Sequence, residues 1–218
     1  MKIKSIQVSR TARYVLSSEP SKEVKNLWIV CHGYGQTATG FLNSFKSIFS
    51  KETLVVAPEG LSKFYWDGFN GKVVSSWMTK ENRENEINDY VNFIEDVLNE
   101  IIPKLNNKLV CNAFGFSQGT STISRWANRT KIKLNSIHLY SGQFPDDLLE
   151  KWNKKILPKL QFHIGNKDSF IKELELLKTK SKLNNHKIDF DLHTYKGGHK
   201  IDFNHLESIL FKSKGNIE

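Results

Sequence analysis

Apolar runs along the chain alternate with segments in which apolar residues recur at helical spacing. The runs predict eight strands, and the central ones, such as "TLVVA", are almost wholly apolar, as strands covered on both faces are. The predicted strands are 3–8, 12–17, 27–32, 53–57, 108–114, 135–140, 159–164 and 188–195.

Helical spacing predicts six helices between these strands, and the clearest is 84–102, with one continuous apolar stripe. The predicted helices are 39–49, 84–102, 119–129, 146–154, 169–182 and 203–213. Strands that alternate with helices predict an α/β fold: a mostly parallel central sheet with helices on both faces. We expect the first two strands to form an antiparallel hairpin at one edge of the sheet.

Composition narrows the class of protein. The 218 residues contain no repeat, low-complexity tract or Pro/Gly-rich linker, which predicts a single domain over residues 1–218. Cys31 and Cys111 both lie in strand-like apolar runs. They are expected to be reduced core residues, and neither a disulfide framework nor a metal site is predicted.

The charge balance bears on possible partners. Thirty-two Lys and Arg against 23 Asp and Glu give a net charge of +9, but the lysines are dispersed and no nucleic-acid-binding motif accompanies them. We therefore expect a solvated basic surface and no nucleic-acid partner. No apolar run approaches the ~18 residues of a membrane span, and the first residues lack the apolar core of a signal peptide. No stable membrane insertion and a cytoplasmic location are expected.

The pentapeptide Gly115-Phe116-Ser117-Gln118-Gly119 lies where a predicted strand becomes a helix. Glycines on both sides allow the strand and the helix to approach, and the sharp turn between them lifts the Ser117 hydroxyl clear of the backbone. The following helix N-terminus favours negative charge, and the Gln118 NH points to where an oxyanion would form. Ser117 is therefore the candidate nucleophile.

A serine nucleophile needs a histidine base. Four of the seven histidines, His186, His193, His199 and His205, lie in the last stretch of the chain, where this kind of site places its base. His193 lies inside the last predicted strand, His186 precedes it, and His205 lies in the terminal helix. His199 follows that strand in a glycine-containing loop and is the predicted base.

A carboxylate is also needed, to orient the histidine. Asp168 follows the strand 159–164, in "FHIGNKDSFI", and is the favoured candidate. Asp146 and Asp147 follow the preceding strand and remain alternatives, although acids directly after Pro145 are also typical of a helix start.

Two other segments bear on the site. In "CHGYGQ" the backbone NH of Tyr34 is the predicted second oxyanion donor, and His32 is expected to hold the loop. Residues 60–83 show no clean period and contain several aromatic residues. Because this long connection leaves the carboxyl end of a strand, we expect it to overhang Ser117, with Trp77 and Met78 lining the acyl site and some other rings packing inward.

These motifs together resemble the phospholipase/carboxylesterase family of small α/β-hydrolases, which includes bacterial carboxylesterases and acyl-protein thioesterases. The resemblance covers nearly the whole chain. It implies a Ser117, Asp168 and His199 triad, with the NH groups of Tyr34 and Gln118 as the oxyanion hole. The matching segments are 32–35, 75–77, 115–119, 141–142 with Pro145, 165–168 and 198–199.

The sequence departs from the family pattern at three points. Thr120 stands where a further glycine is common, Met78 where an aromatic residue followed by an acid is common, and the histidine loop is short. These departures leave the hydrolase chemistry in place but weaken the transfer of a thioesterase's substrate.

The expected activity is hydrolysis of small-molecule carboxylic esters with short to medium acyl chains, with neither a metal nor an organic cofactor. A thioesterase or a lysophospholipase with the same triad is the alternative, and a non-catalytic binding module of the same fold is a further one.

Overall fold

The computed structural model describes residues 1–212 of the chain, and their side chains as far as residue 211. The strands are β1 Tyr14–Leu16, β2 Asn26–Cys31, β3 Thr53–Pro58, β4 Ser62–Tyr65, β5 Val73–Ser76, β6 Val110–Phe116, β7 Leu134–Tyr140, β8 Leu160–Gly165 and β9 Phe190–Tyr195. The α-helices are α1 Ala38–Leu42, α2 Arg83–Ile101, α3 Gln118–Ala127, α4 Glu173–Asn185 and α5 Phe203–Lys212, and short 3₁₀ helices cover Asn43–Ile48, Ile102–Lys104 and Asp146–Leu148.

Seven strands form the central sheet, in the order β1-β3-β2-β6-β7-β8-β9. Strand β1 is antiparallel to β3, and every other neighbouring pair in this sheet is parallel. The predicted mostly parallel α/β fold is confirmed. Its consequence for function is that the carboxyl ends of β2, β6, β7, β8 and β9 meet at one edge of the sheet.

The core lies on both faces of the sheet because successive side chains of a strand point to opposite sides. In β2, Leu27 and Ile29 pack with buried residues of α2, α3 and α4, whereas Trp28 and Val30 pack with those of α1 and α5. The sheet is thus covered by helices on both faces, and the loops at the carboxyl edge are held between two packed layers.

The predicted strand 3–8 is wrong. Residues 1–13 form no strand, and Ile3, Ile6 and Val8 are exposed. The single edge strand β1 pairs with β3 and not with the segment before it, so the expected amino-terminal hairpin is absent from residues 1–212. The physical reason is that a strand needs a partner for its backbone groups, and the apolar residues of 3–8 have no buried face to join.

Within the supposedly irregular stretch 60–83, strands β4 and β5 form an antiparallel hairpin with Phe64 opposite Val74. An isolated bridge joins Ser75 of β5 to Gln36, in the loop after β2. A two-stranded hairpin is marginal by itself, so this contact with the body of the protein supports it.

Three predicted helices differ from the structure, and one extends past the described residues. The predicted helix 39–49 is α-helical only over Ala38–Leu42 and continues as a 3₁₀ helix over Asn43–Ile48. Residues 146–154 contain only a 3₁₀ turn, because Trp152 turns inward to pack edge-to-face on Phe144. Helix α4 begins at Glu173, four residues later than predicted. Residue 213 of the predicted last helix lies outside the described residues. No helix within residues 1–212 is long and apolar enough to cross a membrane.

Candidate active site

Ser117 lies at the turn between β6 and α3, and its backbone has φ 52° and ψ −117°. A positive φ is rare for a residue with a side chain and costs on the order of 1–3 kcal/mol. The turn is held by a hydrogen bond that the Ser117 NH donates to the carbonyl oxygen of Tyr140, at 2.9 Å. The surrounding sheet therefore holds the Ser117 backbone in a conformation that an isolated chain would not keep, and this places the hydroxyl at the carboxyl edge of the sheet.

The two glycines of the pentapeptide are required by close backbone contacts. A Cβ atom on Gly115 would lie 2.3 Å from the carbonyl oxygen of Gly119, and one on Gly119 would lie 2.1 Å from the carbonyl oxygen of Cys31. Both distances are well below van der Waals contact with backbone atoms that have little freedom to move. Helix α3 can thus begin directly against β2 and β6 only with glycine at both positions.

His199 and Asp168 complete a line of hydrogen bonds from the serine. His199 Nε2 lies 2.9 Å from Ser117 Oγ, and His199 Nδ1 lies 2.9 and 3.0 Å from the two carboxylate oxygens of Asp168. The Asp168 side chain is fully buried, and its Oδ1 also accepts the backbone NH groups of Phe170 and Ile171. These bonds orient the carboxylate, which in turn orients the imidazole.

The structure brings neither alternative acid to His199. Asp146 pairs with Lys182 at the surface, and Asp147 pairs with Arg83 and with the buried Arg125. These cations hold the pKa of Asp147 at about 2, against the opposing effect of burial. The other late histidines also have different partners: His186 contacts Glu150, His193 contacts Gln161, and His205 contacts His163.

The loop after β2 lies beside the serine turn. The buried His32 holds it, because its Nδ1 donates to the carbonyl oxygen of Gly33 at 2.7 Å and its Nε2 accepts the NH of Gly60 at 3.0 Å. Burial lowers the pKa of His32, consistent with a neutral ring in this structural position. Within residues 1–212, the Tyr34 NH donates to no other protein atom, and the Gln118 NH opens α3, where it has no partner inside the helix.

A model of the phospholipase/carboxylesterase family matches residues 14–212 of the chain. The chain belongs to this family. It is a hydrolase family with the α/β-hydrolase fold. No curated protein sequence gives a significant match.

Solved structures of the same fold cover nearly the whole chain at low identity. Acyl-protein thioesterase 2 of Zea mays is 15% identical over 95% of this chain and 100% of its own, with a TM-score of 0.70. SOBER1 of Arabidopsis thaliana is 17% identical over 88% and 99%, with a TM-score of 0.68. A phospholipase/carboxylesterase from Dyadobacter fermentans is 16% identical over 93% and 96%, with a TM-score of 0.65. At these identities the likeness is one of fold.

The departure from the family pattern at Thr120 is accommodated by a neighbouring glycine. Thr120 Oγ1 lies 2.8 Å from the carbonyl oxygen of Ser117 and 2.9 Å from that of Gln143. A Cβ on Gly142 would lie 2.3 Å from this hydroxyl, so Gly142 provides the space that the threonine needs. The extra side chain therefore ties the serine turn to the loop after β7.

Sequence reasoning missed the role of the Gln118 side chain in this family member. Its Oε1 accepts the backbone NH of Trp77 at 3.1 Å, and its Nε2 donates to the carbonyl oxygen of Met78 at 2.8 Å. Ser76 Oγ lies within hydrogen-bond distance of both ends of the amide. The residue after the candidate nucleophile thus fastens the segment that follows β5, a contact with no local sequence signal.

The placement of Trp77 corrects one expectation. Its side chain is only 1% exposed, its Nε1 donates to the carbonyl oxygen of His32 at 2.8 Å, and its ring packs on His32 and Tyr90. It belongs to the core, because the indole NH finds a partner there and the ring fills the space beside α2. Met78 is half-buried, with its sulfur 3.4 Å from the guanidinium of Arg125.

Other aromatic rings lie at the surface near the site. Tyr34, Phe64 and Trp66 form a cluster with ring centroids 5.2 to 6.1 Å apart, and Tyr34 and Trp66 are each about half exposed. Gly35, at φ 71°, makes room for the Trp66 ring, which would lie 2.1 Å from a Cβ there. Phe170, which is 73% exposed, has its ring centroid 4.5 Å from that of His199. Sequence reasoning did not single out Phe170.

Proposed function

We propose that the protein is a serine hydrolase that cleaves carboxylic esters of short to medium acyl chains through an acyl-enzyme. The observation that carries this proposal is the line of hydrogen bonds from Ser117 through His199 to Asp168, with contacts of 2.9 to 3.0 Å. These residues come from three separate strand ends, and a purely structural role gives no reason for a strained serine at their meeting point.

In the acylation step, His199 Nε2 accepts the Ser117 proton as the oxygen attacks the ester carbonyl. Asp168 accepts a hydrogen bond from His199 Nδ1, which selects the tautomer whose Nε2 is free to act as a base. The protonated imidazole then gives its proton to the leaving alcohol. Burial of the Asp168 carboxylate strengthens its interaction with the imidazolium.

The oxyanion of the tetrahedral intermediate is assigned to the NH groups of Tyr34 and Gln118, which donate to no protein acceptor among residues 1–212. The amino end of α3 adds a favourable field for negative charge. A water activated by His199 then hydrolyses the acyl-enzyme by the same steps in reverse order, and Ser117 is restored.

The acyl chain is assigned to the exposed rings of Tyr34 and Trp66, with Met78 as a more deeply placed contact. These rings are carried by the loop after β2 and by the β4–β5 hairpin, which is too small to act as a closed cap. An open apolar wall favours short and medium chains. A thioester would be cleaved by the same residues, and the Zea mays neighbour is named as an acyl-protein thioesterase.

The decisive experiment combines active-site labelling with two variants. Wild-type protein treated with a fluorophosphonate should gain one adduct, which peptide mass spectrometry should locate on Ser117. Ser117→Ala should fold, bind no label and lose hydrolysis of p-nitrophenyl acetate by at least about 10⁴-fold. Asp168→Asn should lower kcat by about 10⁴-fold, because Asn favours the wrong tautomer of His199.

A wild-type protein that neither reacts with the fluorophosphonate nor cleaves esters would instead support the non-catalytic binding module. Matched ester and thioester substrates of equal acyl length separate the esterase from the thioesterase alternative. Lysophosphatidylcholine separates both from a lysophospholipase.

A further inference from the structure

The loop that carries His199, residues 196–202, connects β9 to α5 and contains two glycines. A catalytic base must be held within about 0.5 Å of its working position, and a glycine-containing loop does not achieve this alone. The contacts that hold the loop come from two sides.

The outer side of the loop is held by the segment that carries Asp168. The Lys167 NH donates to the carbonyl oxygen of Gly197 at 2.8 Å, and the Gly197 NH donates to Asn166 Oδ1 at 3.2 Å. Gly165 allows this approach, because a Cβ there would lie 2.5 Å from the Gly197 carbonyl oxygen. These bonds end at Gly197, two residues before the histidine.

On the inner side, the residues next to His199 are held by the buried hydroxyl of Tyr195. It lies 3.0 Å from the carbonyl oxygen of Lys200 and 3.3 Å from that of Gly198, the two residues that flank His199. Its third neighbour is Ser141 Oγ, at 3.0 Å. The Tyr195 hydrogen is used toward the carbonyl oxygens, so Ser141 is the donor in the contact between the two hydroxyls. The hydrogen bonds therefore run from the Ser141 hydroxyl to the Tyr195 hydroxyl, and from there to the loop.

Ser141 is itself placed by the end of β7. It has a positive φ of 48°, is fully buried, and its NH donates to the carbonyl oxygen of His163 at 2.8 Å. The preceding residue, Tyr140, accepts the Ser117 NH with its carbonyl oxygen and the Asp202 NH with its hydroxyl, both at 2.9 Å. One dipeptide therefore contacts both the nucleophile turn and the histidine loop.

We propose that Tyr140–Ser141 together with Tyr195 is a positioning device that sets the distance between His199 Nε2 and Ser117 Oγ. The inference rests on the proposed function, since it concerns the same two reacting groups. Tyr195 and Ser141 contact no reacting atom and act through the backbone carbonyls on either side of His199.

The test is Tyr195→Phe, which removes the hydroxyl and keeps the ring. Because His199 serves both acylation and deacylation, both rates should fall together. We expect kcat for p-nitrophenyl acetate to drop about 10- to 100-fold, with KM within about twofold of wild type. Ser141→Ala should also lower kcat. The double variant should lose no more than Tyr195→Phe alone, because both hydroxyls act through one chain.

Tyr90→Phe is the matched control. It also removes a buried tyrosine hydroxyl with a polar partner, the Arg125 guanidinium at 3.2 Å, but on α2 and away from the loop. It should keep the wild-type kcat. All rates are normalised to the folded fraction, measured by active-site titration and thermal unfolding, so that a loss of stability is not read as a loss of positioning.

If the wild-type protein is active and Tyr195→Phe is equally active, this inference is overturned and the proposed function stands. A KM that rises with kcat unchanged, or additive losses in the double variant, would also overturn it. A wild-type protein that is neither phosphonylated nor hydrolytic would overturn the proposed function and the inference with it.

Discussion

Lowering the pH from 7.5 to 5.0 should destabilise the folded protein, because two histidines are buried in a hydrogen-bond chain that requires them to be neutral. His138 Nδ1 lies 3.1 Å from His163 Nε2, and His163 Nδ1 lies 3.0 Å from His205 Nε2. At the other end, His138 Nε2 lies 2.9 Å from Ser136 Oγ, whose hydrogen is directed at Asn112 Oδ1. A proton added to His138 or His163 would place two hydrogens in one N···N contact.

Burial sets the direction of the effect. It lowers the pKa of His138 to about 3, with a smaller contribution from His193, and it holds the pKa of His163 well below its usual range. Unfolding exposes both rings, so the unfolded chain binds more protons below a pKa of about 6.5. The stabilisation that depends on neutral His138 and His163 is therefore fully present above a pH of about 6.5, and it is lost as the pH falls below that value.

The magnitude follows from the linkage relation. At pH 5.0, 1.5 units below the unfolded pKa, each ring held neutral costs about 2 kcal/mol, so the pair costs about 4 kcal/mol. Burial also lowers the pKa of His32, which adds a loss of the same sign. Domains are typically stable by only about 5–15 kcal/mol, so the effect is large.

The assay is reversible urea unfolding, followed by tryptophan fluorescence at several pH values between 7.5 and 5.0. With an m-value of about 3 kcal/mol/M, the midpoint should fall by about 1.3 M across this range. Carboxylates whose pKa is lowered, such as Asp147 at about 2, lose their stabilisation only at more acidic pH and do not contribute in this window.

His138→Gln removes one of the protons taken up on unfolding and should lower the slope of the unfolding free energy between pH 6 and 5 by roughly a third to a half. Tyr90→Phe is the control, because the pKa of Tyr90, raised by burial to about 12, lies outside the window and the slope should not change. A free energy of unfolding that changes by less than about 1 kcal/mol from pH 7.5 to 5.0 would refute the reasoning. So would an unchanged slope in His138→Gln.

Two further predictions concern the role of Asp147 and the residues assigned to the acyl chain. Asp147→Asn should cost about 2–4 kcal/mol in urea unfolding, because it leaves the buried Arg125 without its carboxylate, and kcat of the folded fraction should stay at the wild-type value; a kcat loss as large as that of Asp168→Asn would move the catalytic acid to the end of β7. For p-nitrophenyl esters from acetyl to palmitoyl, kcat/KM should rise up to about fourfold per methylene, at ~0.8 kcal/mol each, and then decline at medium length. Trp66→Ala should flatten that rise, whereas Trp77→Ala should instead cost about 3–5 kcal/mol of stability; a maximum at palmitoyl, or an unchanged profile in Trp66→Ala, would contradict the assignment of the acyl wall.

The sequence determined the strands of the central sheet and the turn at Ser117 because both depend on short-range patterns. An apolar run of five to seven residues fits a buried strand whatever its neighbours are, and the run that ends at Gly115 is followed at once by helical spacing. Gly115 is required by a contact inside the turn, with the carbonyl oxygen of Gly119, and this close approach could be stated before the strand order was known. Gly119 is required by a contact with Cys31 of β2, which only the strand order supplies.

Which carboxylate lies against His199 depended on strand order. Asp147 and Asp168 both follow a strand, and local pattern favoured Asp168 but left Asp146 and Asp147 as alternatives. Strand β8 lies between β7 and β9 in the sheet, which places the Asp168 segment against the loop that carries His199. The same fold brings Arg125 to Asp147 and engages that carboxylate elsewhere.

The hairpin of β4 and β5, the burial of Trp77 and the exposure of residues 3–8 were likewise decided by tertiary contacts. Ser75 pairs with Gln36, 39 residues away, and the Trp77 indole NH finds its acceptor at His32, 45 residues away. Residues 3–8 carry an apolar pattern like that of a strand, but no strand of the sheet lies beside them to accept their backbone hydrogen bonds. Strand pairing and ring burial are interactions between distant segments, and their free energy depends on which partner the rest of the fold supplies.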